Sequence, residues 1–473
     1  MTARPAQRDS FDAAVAYLHA LDQRNPHQHT HAYAFGNGIA RARHLLSRLG
    51  DAPRVTRRCV LIAGSKGKGS TAAMLAAMLS ASGYRVGLFT GPHLYSPLER
   101  FAIGCSARLE TMSEAQFIAF AERIAAIIAT WDRPEIGLPT RFEAFTAMAY
   151  RWFEEQRVDL AVMEIGIGGR HDAVNLAEPL LSVITNISLE HTQILGHTLA
   201  EIAWAKAGIL RARGSAVIAP QTDEARRVLL AEANRLGMTE RLYFVEDYCT
   251  ATLSRVQVAA AGLSGQWVRI HPRPSALLAQ IIGTCDELFC PLLGIWQVEN
   301  LATALTALSV LHDQGLTIHA AALRAGLAGL RWPARFEILR SAPLVIADGA
   351  HTPHAMAQLR DSLRAYFPSR PIHFVLGVLR DKDAQGILEA IADDAARIIF
   401  TEPPTDRALP AAQLLKIWQM HRHDAAQAIV ISDPALALQR ALDDVGASDI
   451  ICVAGSLHLA AGAVRQLTPQ PQS

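Results

Sequence analysis

At 473 residues the chain is longer than one hydrophobic core usually organises, so two or three domains are expected. Half of the residues are hydrophobic and 19% are charged, which excludes a disordered or fibrous chain, and the 6% aromatic content points to a mainly aliphatic interior. The 45 basic and 44 acidic residues leave a net charge of +1 with no long run of either sign, so no broad surface for nucleic acid is expected.

The 6 cysteines (Cys59, Cys105, Cys249, Cys285, Cys290 and Cys452) show no CxxC spacing, and buried free thiols are the expected reading. No apolar core like that of a signal peptide follows Met1, and no uncharged apolar run is long enough for a bilayer, so a cytoplasmic location is expected.

In chain order, helical spacing of apolar residues predicts helices over Phe11–Leu21 and Ile39–Leu49, separated by a polar stretch, Asn25–Tyr33, that reads as a loop. His27, His29 and His31 alternate in that stretch and receive no role. A strand–loop–helix unit follows: Cys59–Ala63, Gly64–Ser70, then a helix over Thr71–Ser82 closed by Gly83. Apolar runs at Arg85–Thr90, Leu160–Glu164, Leu181–Asn186 and Ala216–Ala219 alternate with helices, one of them Glu114–Trp131 opened by a Ser113/Gln116 capping box. This is the rhythm of a doubly wound α/β sheet. From about Tyr243 to Leu293, Gly and Pro break the pattern into an antiparallel excursion, before a helix over Val298–His312. A second α/β alternation starts after Trp332-Pro333, with strands near Leu344–Ala347, His373–Leu376, Arg397–Thr401, Ala428–Ile431 and Ile450–Ala454. The domain boundary is therefore placed near residues 330–334, giving domains 1–330 and 334–473, and the tail after Leu467 should fray.

Three segments carry chemistry. Gly64-Ser65-Lys66-Gly67-Lys68-Gly69-Ser70-Thr71 lies between a strand and a helix, where glycines let backbone N–H groups approach phosphate, Lys68 adds charge and Ser70 can reach Mg²⁺. Glu164 ends a strand just before Gly166-Ile167-Gly168-Gly169-Arg170-His171-Asp172-Ala173, at the sheet edge where ligands bind. A magnesium role and an exposed strand-end carboxylate are both open there. Thr185–Thr192 follows another strand, and beside Ser70 and Glu164 its His191 becomes a candidate ligand for a second metal ion.

The ordered set GSKGKGST, Thr90-Gly91-Pro92-His93-Leu94 with Glu99-Arg100, Phe142-Glu143-Ala144, EIGIGGRHDAVN, TNISLEHT, AKAGI, Gln297-Val298-Glu299-Asn300, Trp332-Pro333-Ala334-Arg335 and Asp348-Gly349-Ala350-His351-Thr352-Pro353 resembles the folylpolyglutamate/dihydrofolate synthase branch of the Mur ligases, from about residue 11 to Leu459. The resemblance implies an N-terminal P-loop ATPase domain, a smaller Rossmann-like C-terminal domain and an active site in a cleft between them. It also implies ATP-dependent amide formation through an acyl phosphate, with glutamate and a pteroate or folate as small-molecule substrates. By position it makes Lys68 the triphosphate lysine, Ser70 and Glu164 ligands of one Mg²⁺, and His191 a ligand of a second. Lys206 matches a lysine that is often carbamylated in the family, a change that would make it a metal ligand. Gln297, Asn300, Arg335, Asp348 and His351 fall at the nucleotide, and Pro92, His93, Asp172 and Ala173 at the acid substrate. Thr352, Gly91, Trp296 and Ala334 stand where the family usually has Asn, Ser, His and Gly, and Ala205 where it often has Glu. These departures leave open a ligase of the same mechanism acting on another acid. A nucleotide-binding protein without turnover is the further alternative, against which the full set of Lys68, Ser70, Glu164, His191 and Lys206 argues. A monomer is the simpler expectation for this fold.

Overall fold

The computed structural model describes residues 10–23, 36–105, 108–259, 264–273, 278–279, 287–421 and 427–467. His27, His29, His31, Cys285 and the tail after Leu467 lie outside the described residues. The chain forms two compact units. One comprises Met1–Ala251, Ile270–Asp286 and Glu299–Leu330, and the other Thr252–Arg269, Glu287–Val298 and Arg331–Ser473.

The first unit is built on eight strands: β1 (Cys59–Ala63), β2 (Val86–Phe89), β3 (Phe101–Cys105), β4 (Arg108–Thr111), β5 (Leu160–Glu164), β6 (Leu181–Ile184), β7 (Ser215–Ile218) and β8 (Leu242–Phe244), in the order β4-β3-β2-β5-β1-β6-β7-β8. From β2 to β8 the pairs are parallel, and their strands are mainly apolar, as expected of a sheet covered on both faces. The antiparallel β3–β4 hairpin at one edge escapes the sequence reading: its strands are only five and four residues long and too short for a period to declare itself.

Register places the site. Ile62 of β1 lies opposite Glu164 of β5, and Ala63 lies opposite Ile184 of β6. The loops after β5, β1 and β6 therefore leave the same sheet edge side by side, at the point where chain order reverses and a crevice opens.

The helix after β1 starts at Lys68, three residues earlier than its apolar pattern suggests, and ends at Ala81; Gly83 follows it at φ +95°. It is buried nearly all round and packs on the helix Ala320–Ala328, where a Cβ on Gly326 would lie 2.6 Å from the Ala77 carbonyl. The Ser113/Gln116 capping box opens the helix Glu114–Ala129, and Thr140/Glu143 and Thr198/Glu201 open Arg141–Glu155 and Leu199–Ala207 in the same way. The core is aliphatic except for one cluster, where Phe101 packs 5.5 Å from Phe89 and 5.7 Å from Phe145 by ring centres.

The antiparallel excursion comprises β9 (Cys249–Gln257), β10 (Gly265–Pro272) and β11 (Glu287–Cys290), ordered β11-β10-β9. The sequence reading assigns this excursion to the N-terminal domain, but Thr252–Arg269 and Glu287–Val298 belong to the second unit. Their polar groups are satisfied there: Tyr366 Oη donates to Gln266 Oε1 (2.9 Å), Ile295 N to Ser362 Oγ (3.0 Å), and Leu293 joins the core of Phe336 and Phe374. The chain enters that unit for the last time at Arg331.

The second unit's sheet comprises β12 (Glu337–Ser341), β13 (Leu344–Ala347), β14 (Ile372–Leu376), β15 (Ala395–Phe400), β16 (Gln427–Val430) and β17 (Ile450–Ala454), ordered β12-β13-β17-β14-β15-β16. All its pairs are parallel except β12–β13, and β12 is the strand that the sequence pattern misses. Cys59, Cys249, Cys290 and Cys452 are buried as expected, whereas Cys105 is exposed. No helix among the described residues is long and apolar enough to cross a membrane.

Candidate active site

The loop Gly64–Thr71 is shaped by contacts that only glycine permits. At Gly64 (φ +144°) a Cβ would sit 1.8 Å from Thr185 Oγ1, and at Gly67 (φ +83°) 2.1 Å from Asn300 Oδ1. Thr185 Oγ1 donates to the Lys66 carbonyl (2.6 Å), Ser65 N donates to the Asn186 carbonyl (2.7 Å), and Ser65 Oγ bridges the Ser188 carbonyl and N–H, each at 2.9 Å. The segment after β6 thus clamps the loop from the outside. Lys68 opens the helix behind Gly67 and folds its Nζ back onto the Gly64 carbonyl (2.9 Å), a bond that phosphate oxygens could replace. Gly69, Ser70 and Thr71 form the first helical turn, with Ser70 and Thr71 buried.

Glu164 is 7% exposed and accepts from Gly91 N through Oε2 (3.0 Å). After it, Asp172 turns its carboxylate inward to accept from Ile167 N (3.0 Å) and Val174 N (2.9 Å). Burial pushes its carboxyl up to about 6, although the N–H groups of Ile167, Val174 and Gly166 pull the other way.

His191 sits at φ +45°, at the N-terminus of the short helix Thr192–Leu195. Lys206 is 1% exposed, and its ammonium donates to Glu190 Oε1 at 2.6 Å. Burial pushes the lysine down to about 8 against the opposing pull of Glu190. Burial also works against ionisation of Glu190, but the Lys68 and Lys206 charges outweigh it and hold the carboxyl below its ordinary range. Glu190 lies 16 residues before Lys206, and no local pattern announces this pairing.

A cleft of about 460 Å³ opens beside Glu164. Pro92, Glu164, Asp172, Ala173 and His191 line it together with the apolar Phe89, Phe142, Ile165, Ile194 and Leu195. His93 is not among the lining residues; its Nδ1 accepts from Arg100 Nε (2.8 Å). Arg100, Arg141, Arg170 and the Thr140–Glu143 turn also line the cleft and were not singled out from sequence. Glu143 there forms a buried two-pronged pair with Arg41 (2.7 and 2.8 Å), a contact across 102 residues that no local pattern announces.

Asn300 belongs to the first unit, beside Gly67. Gln297, fully buried, and Arg335, Asp348 and His351 belong to the second. Asp348 accepts from Phe336 N (2.8 Å) and Ala350 N (2.7 Å), and burial pushes its carboxyl up while Arg335 pulls it down. His351 Nδ1 lies 2.8 Å from the Gly349 carbonyl.

Four of the five departures from the family pattern have a describable local setting. Thr352 caps the helix Pro353–Tyr366 by accepting from Ala355 N (3.3 Å), work that Asn also does. Ala334 adopts φ +54°, a left-handed conformation that favours glycine. Trp296 packs edge-on to Phe336 (6.3 Å between rings). A Cβ on Gly91 would meet Arg100 Nη1 at 2.4 Å.

With this geometry in place, comparison with known proteins is informative. Residues 112–308 match the Mur ligase middle domain, and residues 334–457 the Mur ligase, glutamate ligase domain. Folylpolyglutamate synthase of Lacticaseibacillus casei is 31% identical over 460 residues, covering 97% of this chain and 98% of that protein. A probable bifunctional folylpolyglutamate synthase/dihydropteroate synthase of Haloferax volcanii is 33% identical over 90% of this chain, which spans about half (48%) of that longer relative. Among solved structures, Mycobacterium tuberculosis folylpolyglutamate synthase complexed with ADP and AMPPCP superposes with a TM-score of 0.77 at 31% identity, covering 97% of this chain and all of the other. E. coli FolC in complex with DHPP and ADP superposes with a TM-score of 0.76 at 27% identity, covering 96% and 97%.

Proposed function

The chain belongs to the folylpolyglutamate synthase/dihydrofolate synthase family of Mur ligases and is an ATP-dependent ligase, and on that premise we propose that it joins glutamate to the carboxylate of a pteroate or folate through an acyl phosphate. One observation carries the reading. Glu164 and His191, two of the four candidate metal residues, share a cleft with Pro92, Asp172 and Ala173, three of the four candidate acid residues, and its walls are apolar enough for a flat heteroaromatic ring.

In this reading the backbone N–H groups of Gly64–Thr71 and the Lys68 ammonium hold the phosphates of ATP. A carboxylate oxygen of the acid attacks the γ-phosphorus, the bond to the bridging oxygen breaks, and ADP leaves. The glutamate nitrogen then attacks the acyl carbon, sheds a proton, and phosphate departs as the amide forms. Gln297, Asn300, Arg335, Asp348 and His351 are assigned to the nucleotide, and the second unit to the amino acid.

Among the described residues no three His, Cys, Asp or Glu side chains gather as a metal cage. Mg²⁺ does not require one, since it commonly takes one or two protein ligands and completes its shell with phosphate oxygens and water. Ser70 and Glu164, 5% and 7% exposed, fit that sparse demand, and the ion they would hold neutralises charge on the transferring phosphate. As an ammonium bound to Glu190, Lys206 offers a cation nothing. Carbamylation, favoured by a pKa depressed to about 8, would make it an oxygen donor for a second Mg²⁺ with His191. The same reading makes the protein a cytoplasmic monomer whose partners are small molecules.

ADP formation measured against a panel of pteroates, folates, other acids and amino acids tests this function. A pterin acid and glutamate together should be required. Turnover with another acid, and none with any pterin, would transfer the chain to the alternative of a ligase recruited to a different substrate.

A further inference from the structure

A second cavity, of about 530 Å³, lies wholly within the first unit and apart from the residues assigned to ATP, metal or acid. The helix Gly38–Leu49 supplies one wall, where Ala40, Arg43, His44 and Ser47 fall at spacings of three and four residues and so share a face. Arg57 and Arg133 stand around it, and Leu46, Ile136 and Leu176 give it a buried apolar floor.

Its cationic groups are only partly used. Among the described residues Arg57 makes no side-chain hydrogen bond or ion pair, and Arg43 makes one long hydrogen bond, from Nη2 to the Leu176 carbonyl (3.4 Å). Arg133 pairs with Glu135, and His44 with Asp132 at 2.7 Å. Two carboxylates line the cavity, and neither pairs with Arg43 or Arg57: Asp51 accepts from Ala52 N (2.9 Å), and Glu178 lies 3.4 Å from Arg211 Nε. A guanidinium with N–H groups to spare at a cavity wall is matched by the paired oxygens of a carboxylate.

The cavity and the cleft also share a partition. Asp172 and Ala173 line the cleft, whereas Leu176, at the end of the same short turn, lines the cavity. The Ile136 carbonyl accepts from Arg41 Nη1 (3.0 Å), and the same guanidinium holds Glu143 on the cleft side. Arg43 therefore bonds to the far end of the turn whose near end is tied by Asp172 to Val174 N. An anion that draws Arg43 to itself removes the bond to Leu176 and loosens that turn.

We propose that this cavity is a second small-molecule site, for an organic anion carrying two or more carboxylates anchored by Arg43 and Arg57, and that filling it weakens binding in the cleft through the turn Ala173–Leu176. The site stands apart from the proposed reaction, and only the identity of the coupled ligand as a pterin acid rests on that reading.

Tricarballylate is the probe and its neutral triamide the control, each titrated by calorimetry into the full chain at constant ionic strength. Wild type should bind the carboxylate at least about 10-fold more tightly, and Arg43→Gln and Arg57→Gln should each lose about that factor, the scale of one charged hydrogen-bonding group. Both arginines are exposed, so the folded state and the activity without tricarballylate should be unchanged. Saturating tricarballylate should weaken dihydropteroate binding in the presence of ADP by about 5-fold or more, and dihydropteroate should weaken tricarballylate binding by the same factor. Hydrogen exchange at Val174 N should speed up with tricarballylate in wild type and not in Arg43→Gln, a readout that needs no pterin. Equal binding of carboxylate and triamide, or binding that both substitutions leave intact, overturns the site. Binding that leaves Val174 N and the acid's affinity unchanged overturns the coupling. A protein that binds no pterin acid yet shows the exchange response loses the proposed reaction and keeps this second site.

Discussion

The glycine-rich loop Gly64–Thr71 and the cleft beside Glu164 are built by opposite means. The loop is a backbone object: glycines at positive φ are held against Thr185 and Asn300, and the segment after β6 clamps them through main-chain bonds. The cleft is a side-chain object, in which Phe89, Arg100, Phe142, Asp172 and Ile194 arrive from five separate places in the sequence. A backbone cradle tolerates almost no change and serves any nucleotide phosphate, whereas a side-chain wall can be rebuilt residue by residue. Reaction type should therefore be brittle in this protein, and substrate choice adjustable.

The largest effect should come from the loop. Lys68→Ala is expected to lower turnover by at least about 10²-fold with the melting temperature nearly unchanged, because the half-buried side chain bonds only to carbonyls of its own loop. Normal kcat in a folded Lys68→Ala protein would contradict the phosphate assignment. Lys206→Ala should come next, since it leaves the half-buried Glu190 without this ion pair and removes the proposed site of carbamylation. Loss of acyl-phosphate formation that a short carboxylic acid partly restores would support the carbamate. An unmodified Lys206 mass in active, bicarbonate-supplied enzyme would refute it.

Asp172 sharpens the contrast through pH. Its folded pKa, about 6, lies above the ordinary 3.8, so the proton binds more tightly to the folded protein. This group's stabilising contribution is complete below about 3.8 and is lost as pH rises through about 6. Binding of an N–H-bearing ring by the carboxylate runs the other way and should fail below about 6, giving kcat/KM for the acid a limb there that Asp172→Asn lacks. A pH profile identical in the two proteins would remove Asp172 from the acid site.

The smallest effect is expected at Ala334, and Gly67 is its opposite. Gly67→Ala should be severely damaging, as its Cβ would strike Asn300 at 2.1 Å in a left-handed backbone. Ala334→Gly, at φ +54° but fully buried, should be nearly neutral in urea denaturation. Relief of about 1 kcal/mol of left-handed strain is offset by about 0.8 kcal/mol of lost methyl burial and a more flexible unfolded chain. A change beyond about 1.5 kcal/mol in either direction would show that one of these contributions has been misjudged.

What could be read directly from sequence was whatever short segments decide for themselves. The run Cys59–Ala63 followed by a glycine-rich loop forces strand, cradle and helix, because burial and positive φ are local demands, and Ser113 and Gln116 close their capping box within three residues. Glu164 was legible for the same reason, as a charge ending an apolar strand. The short strands β3, β4 and β12, at or next to a sheet edge, were not, since their pairing is set by a neighbour and not by their own period. Nor was the transfer of Thr252–Arg269 and Glu287–Val298 to the second unit, which depends on where Gln266, Leu293 and Tyr366 find partners. In the site, tertiary structure alone decided that Glu190 takes Lys206, that Glu143 takes Arg41, and that Arg100 faces the cleft without a carboxylate. Those outcomes turn on which charges are brought within hydrogen-bond reach across many residues, a matter of chain path and burial that no local pattern encodes.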